Sequence, residues 1–206
     1  MPELNAVIDI SHHNGNGNLQ RAAADGIIAV IQKATQGQTG KDPTFRKNKQ
    51  KALDAGLLFG AYHFATGSDG IRQAENFLET VGDDKDTLLV LDFEPNPTGP
   101  SMSLEEARAF VTHIAEATGR FPGFYSGHYI KELLGIGSDP VLAQCWLWLA
   151  QYGPTPVVPR NWPKWTMWQY TDGGFGPPPH EVAGIGRCDR DKFNGTEAEL
   201  RALWRN

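Results

Sequence analysis

Cysteine is nearly absent from this sequence. Only Cys145 and Cys188 occur, which excludes a disulfide scaffold and leaves one bridge or two buried thiols as alternatives. No Cys/His cluster has zinc spacing. Positive charge is scarce and dispersed. The 19 Lys and Arg against 24 Asp and Glu leave a formal net charge of −5, with no basic run of any length. A phosphate backbone needs a concentrated positive face, so nucleic acid is not expected as a partner. No apolar stretch is long enough to span a bilayer, so stable membrane insertion is not expected either. The opening residues, MPELNAVIDISHH, lack the basic start and apolar run of a secretory signal. Action outside the cell would then need another export or release route, or a signal already removed. GQTGK at 37–41 lacks the spacing of a phosphate-binding loop and reads as a turn. No G-x-S-x-G elbow occurs, so serine hydrolase chemistry has no support.

What is present is a core and a rhythm. Hydrophobic residues make up 40% of the 206, enough for a packed interior. Short apolar segments at 6–10, 27–34, 57–64, 87–93, 123–127, 145–152 and 165–170 read as strands covered on both faces, with a further short one at 181–189. Helical patterns lie between them. DPTFRKNKQKALDAG has Asp42 as a cap and Pro43 in the first turn, and stops at Gly56. DGIRQAENFLETVG places Ile71, Ala74, Phe77, Leu78 and Val81 on one side. Ser103 with Glu106, and Thr196 with Glu199, form capping boxes. Alternating strand and helix patterns predict an α/β fold with a mainly parallel sheet. Seven or eight strands without a dinucleotide-type glycine loop favour a closed barrel. The later half has weaker helical patterns and Pro/Gly-rich connections at 153–164 and 171–180. The expected fold is therefore an irregular (β/α) TIM-like barrel, with helices missing or reduced in the C-terminal half. No linker or repeat divides it, so residues 1–206 are read as a single catalytic barrel domain.

In such barrels the site lies at the C-terminal ends of the strands. Those ends carry Asp9, Tyr62 to Phe64, Asp92, Glu94, Tyr125, Gln151, Tyr152, Gln169, Tyr170 and Asp189. The set is acidic and aromatic, with almost no cation, and suits a neutral polyol. Asp92 and Glu94 sit two apart in LLVLDFEPNP, on the same side of a strand, with Cα atoms roughly 6–7 Å apart. Two neighbouring carboxyls repel, so one stays protonated and can donate while the other stays ionised. Glycoside hydrolysis requires that pairing. Glu94, longer and just past the strand, is the proton donor; Asp92 supports the oxocarbenium-like centre. A strand-end acid by itself is more often structural, capping a helix or pairing with arginine. Arg187 and Arg190 in RCDRD are such partners for Asp189. Asp9 and Asp189 converging on the same mouth weigh toward function, since like charges cost stability.

Five of the six tryptophans lie between 146 and 168. Trp148, Trp165 or Trp168, with Tyr62, Tyr125 and Tyr152, offer faces for sugar rings, although each aromatic taken singly is more often core. Trp146 and Trp148 share one face of their strand and Leu147 and Leu149 the other, so one set alone can face the interior. His12 and His13 with Asp92 and Glu94 are a weaker metal alternative, and His63 reads as a buried, hydrogen-bonded histidine.

Eight segments in order, VIDISHHNG, VIQKATQG with DPTF, GAYHFA, VLDFE, FYSG, WLAQY, MWQYTDGG and CDRDKFNG, resemble family 25 of the glycoside hydrolases, the Chalaropsis-type lysozymes. The resemblance runs through nearly the whole chain. It implies an N-acetylmuramidase that cuts the β-1,4 bond between N-acetylmuramic acid and N-acetylglucosamine in peptidoglycan glycan strands, on an irregular β/α barrel. By motif, Glu94 takes the general acid/base position. Asp92 takes that of the nucleophile or of the residue assisting the substrate's acetamido group. Asp9 and Asp189 match the other two acids, and Tyr62 matches the tyrosine of the YHF segment. Phe64, Tyr125, Trp148, Gln151, Tyr152 and Trp168 complete the expected substrate-binding set. No metal or cofactor is implied. Departures are Gln36 in place of a common glutamate, His13 and Asn14 where Gln-Gly is common, and Cys188 in place of an apolar residue; none removes an acid. The expected place of action is the cell wall, with holin-dependent release from the host cytoplasm if the chain is phage-encoded. No oligomeric state is legible. The competing readings are a silent glycan-binding protein, a structural or assembly protein using the barrel as scaffold, and a glycosidase for another β-1,4 amino-sugar polymer.

Overall fold

The computed structural model describes residues 3–205. The chain runs through β1 (Glu3–Ile10), α1 (Leu19–Ala24), β2 (Ala29–Gln36), β3 (Gly40–Lys41), α2 (Phe45–Asp54), β4 (Leu58–Phe64), α3 (Gly70–Val81), β5 (Leu88–Asp92) and α4 (Leu104–Thr118). It continues with β6 (Gly123–Ser126), α5 (His128–Leu134), β7 (Trp146–Ala150) and β8 (Met167–Thr171). The paired arms β9 (Glu181–Val182) and β10 (Gly186–Arg187), then β11 (Asp189–Asn194) and α6 (Glu197–Arg205), complete it.

Eight strands close a barrel in the order β1-β2-β4-β5-β6-β7-β8-β11. Neighbours from β1 round to β8 pair in parallel. The last strand, β11, is antiparallel to both β8 and β1 and closes the ring. This corrects the strand expected at 181–189. Gly184 and Gly186 take φ of 86° and 87°, which folds 181–187 into a small hairpin, and the barrel strand begins only at Asp189.

Helices are reduced in the second half, as the weak patterns there predict. Helix α5 has 7 residues, none lies between β7 and β8 among the described residues, and the β9–β10 hairpin stands before β11. Sequence reading does not anticipate α1 or α5, because six or seven residues show too few apolar repeats for a helical period to register. Helix α4 carries the reciprocal Ser103–Glu106 box and ends at Gly119 with φ 78°. Helix α2 starts later than its Asp42–Pro43 signal. The Asp42 carboxylate instead accepts from the Thr44 N–H (2.9 Å) and hydroxyl (2.6 Å).

The period-two alternation of the strands divides the core into two layers. Val7, Ala29, Ile31, Leu88, Val90, Met167 and Phe193 fill the barrel interior. Ile8, Val30, Leu89, Leu91, Leu147 and Leu149 face outward against helical residues such as Phe77, Phe110 and Ile114. Leu200 and Trp204 of α6 join the inner layer, and the Trp204 indole N–H donates to the Phe59 carbonyl (2.8 Å) near the start of β4. The helix thus closes the floor at the N-terminal ends of the parallel strands, leaving the opposite end for polar groups. Cys145 and Cys188 are both buried and unbridged.

His63 of β4 points into the outer layer and is fully buried. Its Nδ1 lies 2.7 Å from the Thr35 hydroxyl and its Nε2 3.1 Å from Gln73 Oε1. Burial pulls its pKa from 6.5 down to about 4. The unfolded chain therefore takes up this proton first as pH falls. His63 leaves stability intact above pH 6.5 and reduces it between 6.5 and 4 by up to about 3 kcal/mol. Urea unfolding of wild type and His63→Gln from pH 7 to pH 4 should show the variant losing less stability across that window. Parallel curves would refute the assignment.

Candidate active site

The polar end of the barrel is made by inward-facing side chains at the strand ends. Asp9, Tyr62, Asp92, Tyr125, Trp148, Gln169 and Asp189, with Glu94 and Tyr152 from the loops beyond β5 and β7, line one cavity of about 190 Å³. Asp189 reaches this mouth because β11 runs backwards: its first residue pairs with Asp9, near the end of β1.

Nine of the residues singled out in the sequence therefore meet in one place: Glu94, Asp92, Asp9, Asp189, Tyr62, Tyr125, Trp148, Tyr152 and Gln169. Gln151 lines an adjoining groove of about 460 Å³ that shares Glu94, Tyr125 and Tyr152 with the cavity. Its amide is occupied in holding the loop after β7: it accepts from Lys131 Nζ (3.0 Å) and the Val157 N–H (3.1 Å), and donates to the Thr155 carbonyl (2.9 Å). Phe64 stands outside the cavity lining, with Lys33 Nζ 4.7 Å from its ring centroid. Trp168 is a correction. It is 1% exposed, packs against Trp165 and Tyr170 in the outer layer, and donates its indole N–H to the Gln151 carbonyl (2.7 Å). With Gln169 turned inward, the pleat turns Trp168 outward. Neither arginine of RCDRD forms an ion pair with Asp189: Arg187 lies 3.6 Å from the Glu181 carboxylate, and Arg190 donates to the Glu181 carbonyl (2.7 Å) and Asn5 (3.2 Å).

A hydrogen-bond chain fixes the lining. The Tyr125 and Tyr152 hydroxyls both donate to Gln169 Oε1 (2.9 Å each), and Gln169 Nε2 donates to Asp9 Oδ2 (2.8 Å). Tyr125 also meets the Trp148 ring edge-on, centroids 4.8 Å apart. Two inward-facing residues escape the sequence reading. One is Lys33 of β2, whose Nζ donates to Gln36 Oε1 (2.8 Å) and whose charge acts on Asp92 and Glu94. The other is Asp191 of β11, which accepts from the Trp148 indole N–H (2.7 Å). Counting by twos from Ile31, or from Asp189, finds both.

The carboxyls are all held above their ordinary range. Burial raises Asp92 well up, the Glu94 charge adds to it and Lys33 opposes it. Its Oδ1 is buried with no protein hydrogen-bond partner. Burial raises Glu94 too, against the pull of Lys33. Burial, then Asp172, pushes Asp189 to about 6. Because the Glu94 charge adds to the rise at Asp92, the two do not ionise independently, and a pair that holds one proton offers a donor and an anion together. Among the described residues no group of His, Cys, Asp and Glu is arranged to hold a metal ion; His12 lies 2.8 Å from Asp42 instead.

A closed α/β barrel with paired acids, hydroxyl and amide groups and aromatic walls at its mouth has the site of a glycosidase. Comparison with known proteins makes the class specific. The sequence profile described as Glycosyl hydrolases family 25 matches residues 8–177. Lysozyme M1 of Streptomyces globisporus is 33% identical over 97% of this chain and 71% of its own length. N,O-diacetylmuramidase of Chalaropsis sp is 30% identical over 80% of this chain and 86% of its own. Among solved structures, the bacterial lysozyme from Streptomyces coelicolor superposes with a TM-score of 0.87 at 34% identity, over 98% of this chain and 97% of that one. The family GH25 lysozyme from Aspergillus fumigatus gives 0.85 at 33% identity, over 100% of both. The chain belongs to glycosyl hydrolase family 25.

Crowded acids work against the fold. A carboxyl whose pKa is raised on folding binds its proton more tightly folded than unfolded, so its contribution to stability is present at low pH and lost as pH rises. Asp92→Asn should therefore raise Tm at pH 7 by roughly 2–4 °C, corresponding to about 1 kcal/mol. The gain should shrink on acidification. Calorimetry at pH 7 and pH 4 checks this, and a variant less stable than wild type at pH 7 would contradict it.

Proposed function

We propose that the cavity cleaves the β-1,4 bond between N-acetylmuramic acid and N-acetylglucosamine, with Glu94 as general acid/base and Asp92 supporting the anomeric carbon. The chain is a lysozyme-type hydrolase of peptidoglycan by family membership, and its place of action is the cell wall. The observation that carries the residue assignment is the pairing of Asp92 and Glu94, two acids with raised pKa values, within one tyrosine-lined cavity.

The reaction proceeds in two stages. Glu94 gives its proton to the glycosidic oxygen as the bond from that oxygen to the anomeric carbon breaks. The electron-poor carbon is taken by the Asp92 carboxylate or by the carbonyl oxygen of the sugar's own acetamido group, which Asp92 then orients. Water then attacks that carbon from the face the departing sugar left, the bond to the Asp92 or acetamido oxygen breaks, and Glu94 takes the water's proton. Two displacements give retention in either version. Tyr62, Tyr125 and Tyr152 keep their hydroxyl protons, because burial and the neighbouring carboxylates raise their pKa values. They line the cleft as neutral groups, which suits an uncharged sugar.

The test is clearance of purified cell walls with mass spectrometry of the fragments, for wild type, Glu94→Gln and Asp92→Asn. Muramic acid at the new reducing ends is expected, with turnover reduced about 10²–10⁴-fold in Glu94→Gln. Reducing N-acetylglucosamine ends would make the enzyme a glucosaminidase. Binding without cleavage by wild type would make it a glycan-binding protein. Lys33 supplies a second check. Its charge favours the ionised forms of Asp92 and Glu94, so Lys33→Met should move both limbs of the pH–rate profile upward by about one unit. An unmoved profile would remove Lys33 from the electrostatics of the pair.

A further inference from the structure

A groove of about 460 Å³ opens beside the catalytic cavity and shares Glu94, Tyr125 and Tyr152 with it. Asp92 lines the cavity and not the groove. The groove walls come from α5 and from the chain beyond β5 and β7. Gly127, just before α5, lets that helix lie close to β7: a Cβ there would stand 2.6 Å from the Ala150 carbonyl oxygen. Lys131 of α5 lines the groove and is half-buried. Its Nζ donates to Gln151 Oε1 (3.0 Å), which also accepts from the Val157 N–H (3.1 Å). A neutral amide, and not an acid, thus holds the ammonium in place.

Lys41, Lys49 and Lys192 each meet a carboxylate, from Glu79, Asp84 and Glu3. Lys131 forms no ion pair among the described residues, and Glu132 beside it turns to His128 (2.9 Å). Burial lowers the Lys131 pKa, and no neighbouring carboxylate raises it back. A carboxylate from outside would offset that desolvation. Gln151 accepts one of the three ammonium N–H donors, which leaves two for a ligand. The reaction fixes where that ligand sits on the strand. Asp92 meets the anomeric carbon and Glu94 the departing oxygen, so the departing half of the strand runs from Glu94 into the groove. That half begins with a neutral N-acetylglucosamine. Its next sugar is muramic acid, whose lactyl carboxyl is either free or bonded to a peptide with carboxylates of its own.

We infer that Lys131 is a specificity-determining residue that binds a carboxylate carried by the muramic acid of the departing half of the strand. The four acids of the cavity disfavour an anion, so a substituent carboxylate is steered toward the groove. One cation at one end of an acidic cleft then sets the direction in which the strand is laid down. The inference rests on the muramidase reading for which half departs, and on the groove alone for its preference for an anion.

The experiment compares two glycans cut at the same bond. One is the tetrasaccharide in which N-acetylglucosamine–N-acetylmuramic acid occurs twice; the other is the trisaccharide lacking the terminal muramic acid on the departing side. The tetrasaccharide is used both with free lactyl carboxylates and with its peptides attached. Wild type should cut the tetrasaccharide with the higher kcat/KM. Lys131→Met should shrink that advantage about 5–10-fold, mainly through KM, as expected for one half-buried charge-assisted contact. Lys131→Arg should restore it. A loss with the bare tetrasaccharide assigns the lactyl carboxylate, and a loss confined to the peptide-bearing form assigns a peptide carboxylate. An equal loss on tetrasaccharide and trisaccharide would overturn the inference, because Lys131 would then serve only the Gln151 loop or the half that stays. An unchanged preference would overturn it too. Calorimetric titration of the tetrasaccharide into Glu94→Gln, with and without Lys131→Met, needs no turnover and should show weaker binding by a similar factor. Lys131-dependent binding by a protein whose wild type cuts neither glycan would overturn the muramidase reading and leave the anion site standing.

Discussion

The antiparallel pairing of β11 with β1 is the contact on which the rest of the molecule depends. It turns an open run of seven parallel strands into a ring. It also decides which end of β11 meets the others. A parallel closing strand would have sent its first residue to the floor, among Leu200 and Trp204. Reversed, it delivers Asp189 and Asp191 to the polar end beside Asp9, and Phe193 to the apolar end. A single choice of direction thus sorts three residues of one strand between chemistry and core. The same closure brings Gln169, on the other neighbour of β11, within reach of Asp9.

The electrostatic arrangement follows from that convergence. Four carboxyls line one mouth with Asp191 buried in the interior of the same barrel, and the charge of Lys33 acts on Asp92 and Glu94. Such a cluster would be unstable if every member were ionised; burial favours the protonated forms, Gln169 aims a donor at Asp9, and Lys33 supplies one counter-charge. Gln169 is the pivot. Its amide takes two tyrosine hydroxyls on one side and gives a hydrogen bond to Asp9 on the other, so side chains from β1, β6, β8 and the loop after β7 are oriented through one group. Substitution there would disturb several roles at once, and separate effects could not be added.

Much of this was legible in the chain, for reasons that differ between residues. The barrel and the Asp92–Glu94 pair show in sequence because a strand buried on both faces reads as an unbroken apolar run, and two acids interrupting its end are conspicuous. Asp189 stands at the start of β11, not at a strand's C-terminal end, and reaches the mouth because that strand is antiparallel, a direction that leaves no mark on composition. Gly184 and Gly186 were the visible sign that 181–189 could not be one strand. The residue type of Trp168 suggests sugar stacking, whereas the pleat turns it into the outer layer. Lys33 and Asp191 lie on interior faces short of the strand ends, where only the parity of the strand reveals them. Helices α1 and α5 are set by the packing of neighbours more than by any pattern of their own.

The floor formed by α6 has a consequence for traffic. With Leu200 and Trp204 seated in the inner core below the packed interior side chains, the cleft opens at the other end of the barrel. A polymer cannot thread through it and must lie across the threshold, presenting a bond from the side. An entrance of that kind needs no free chain end and suits cuts within a continuous meshwork. Water and both severed ends share the same doorway, so the order in which they leave and enter becomes part of the catalytic cycle.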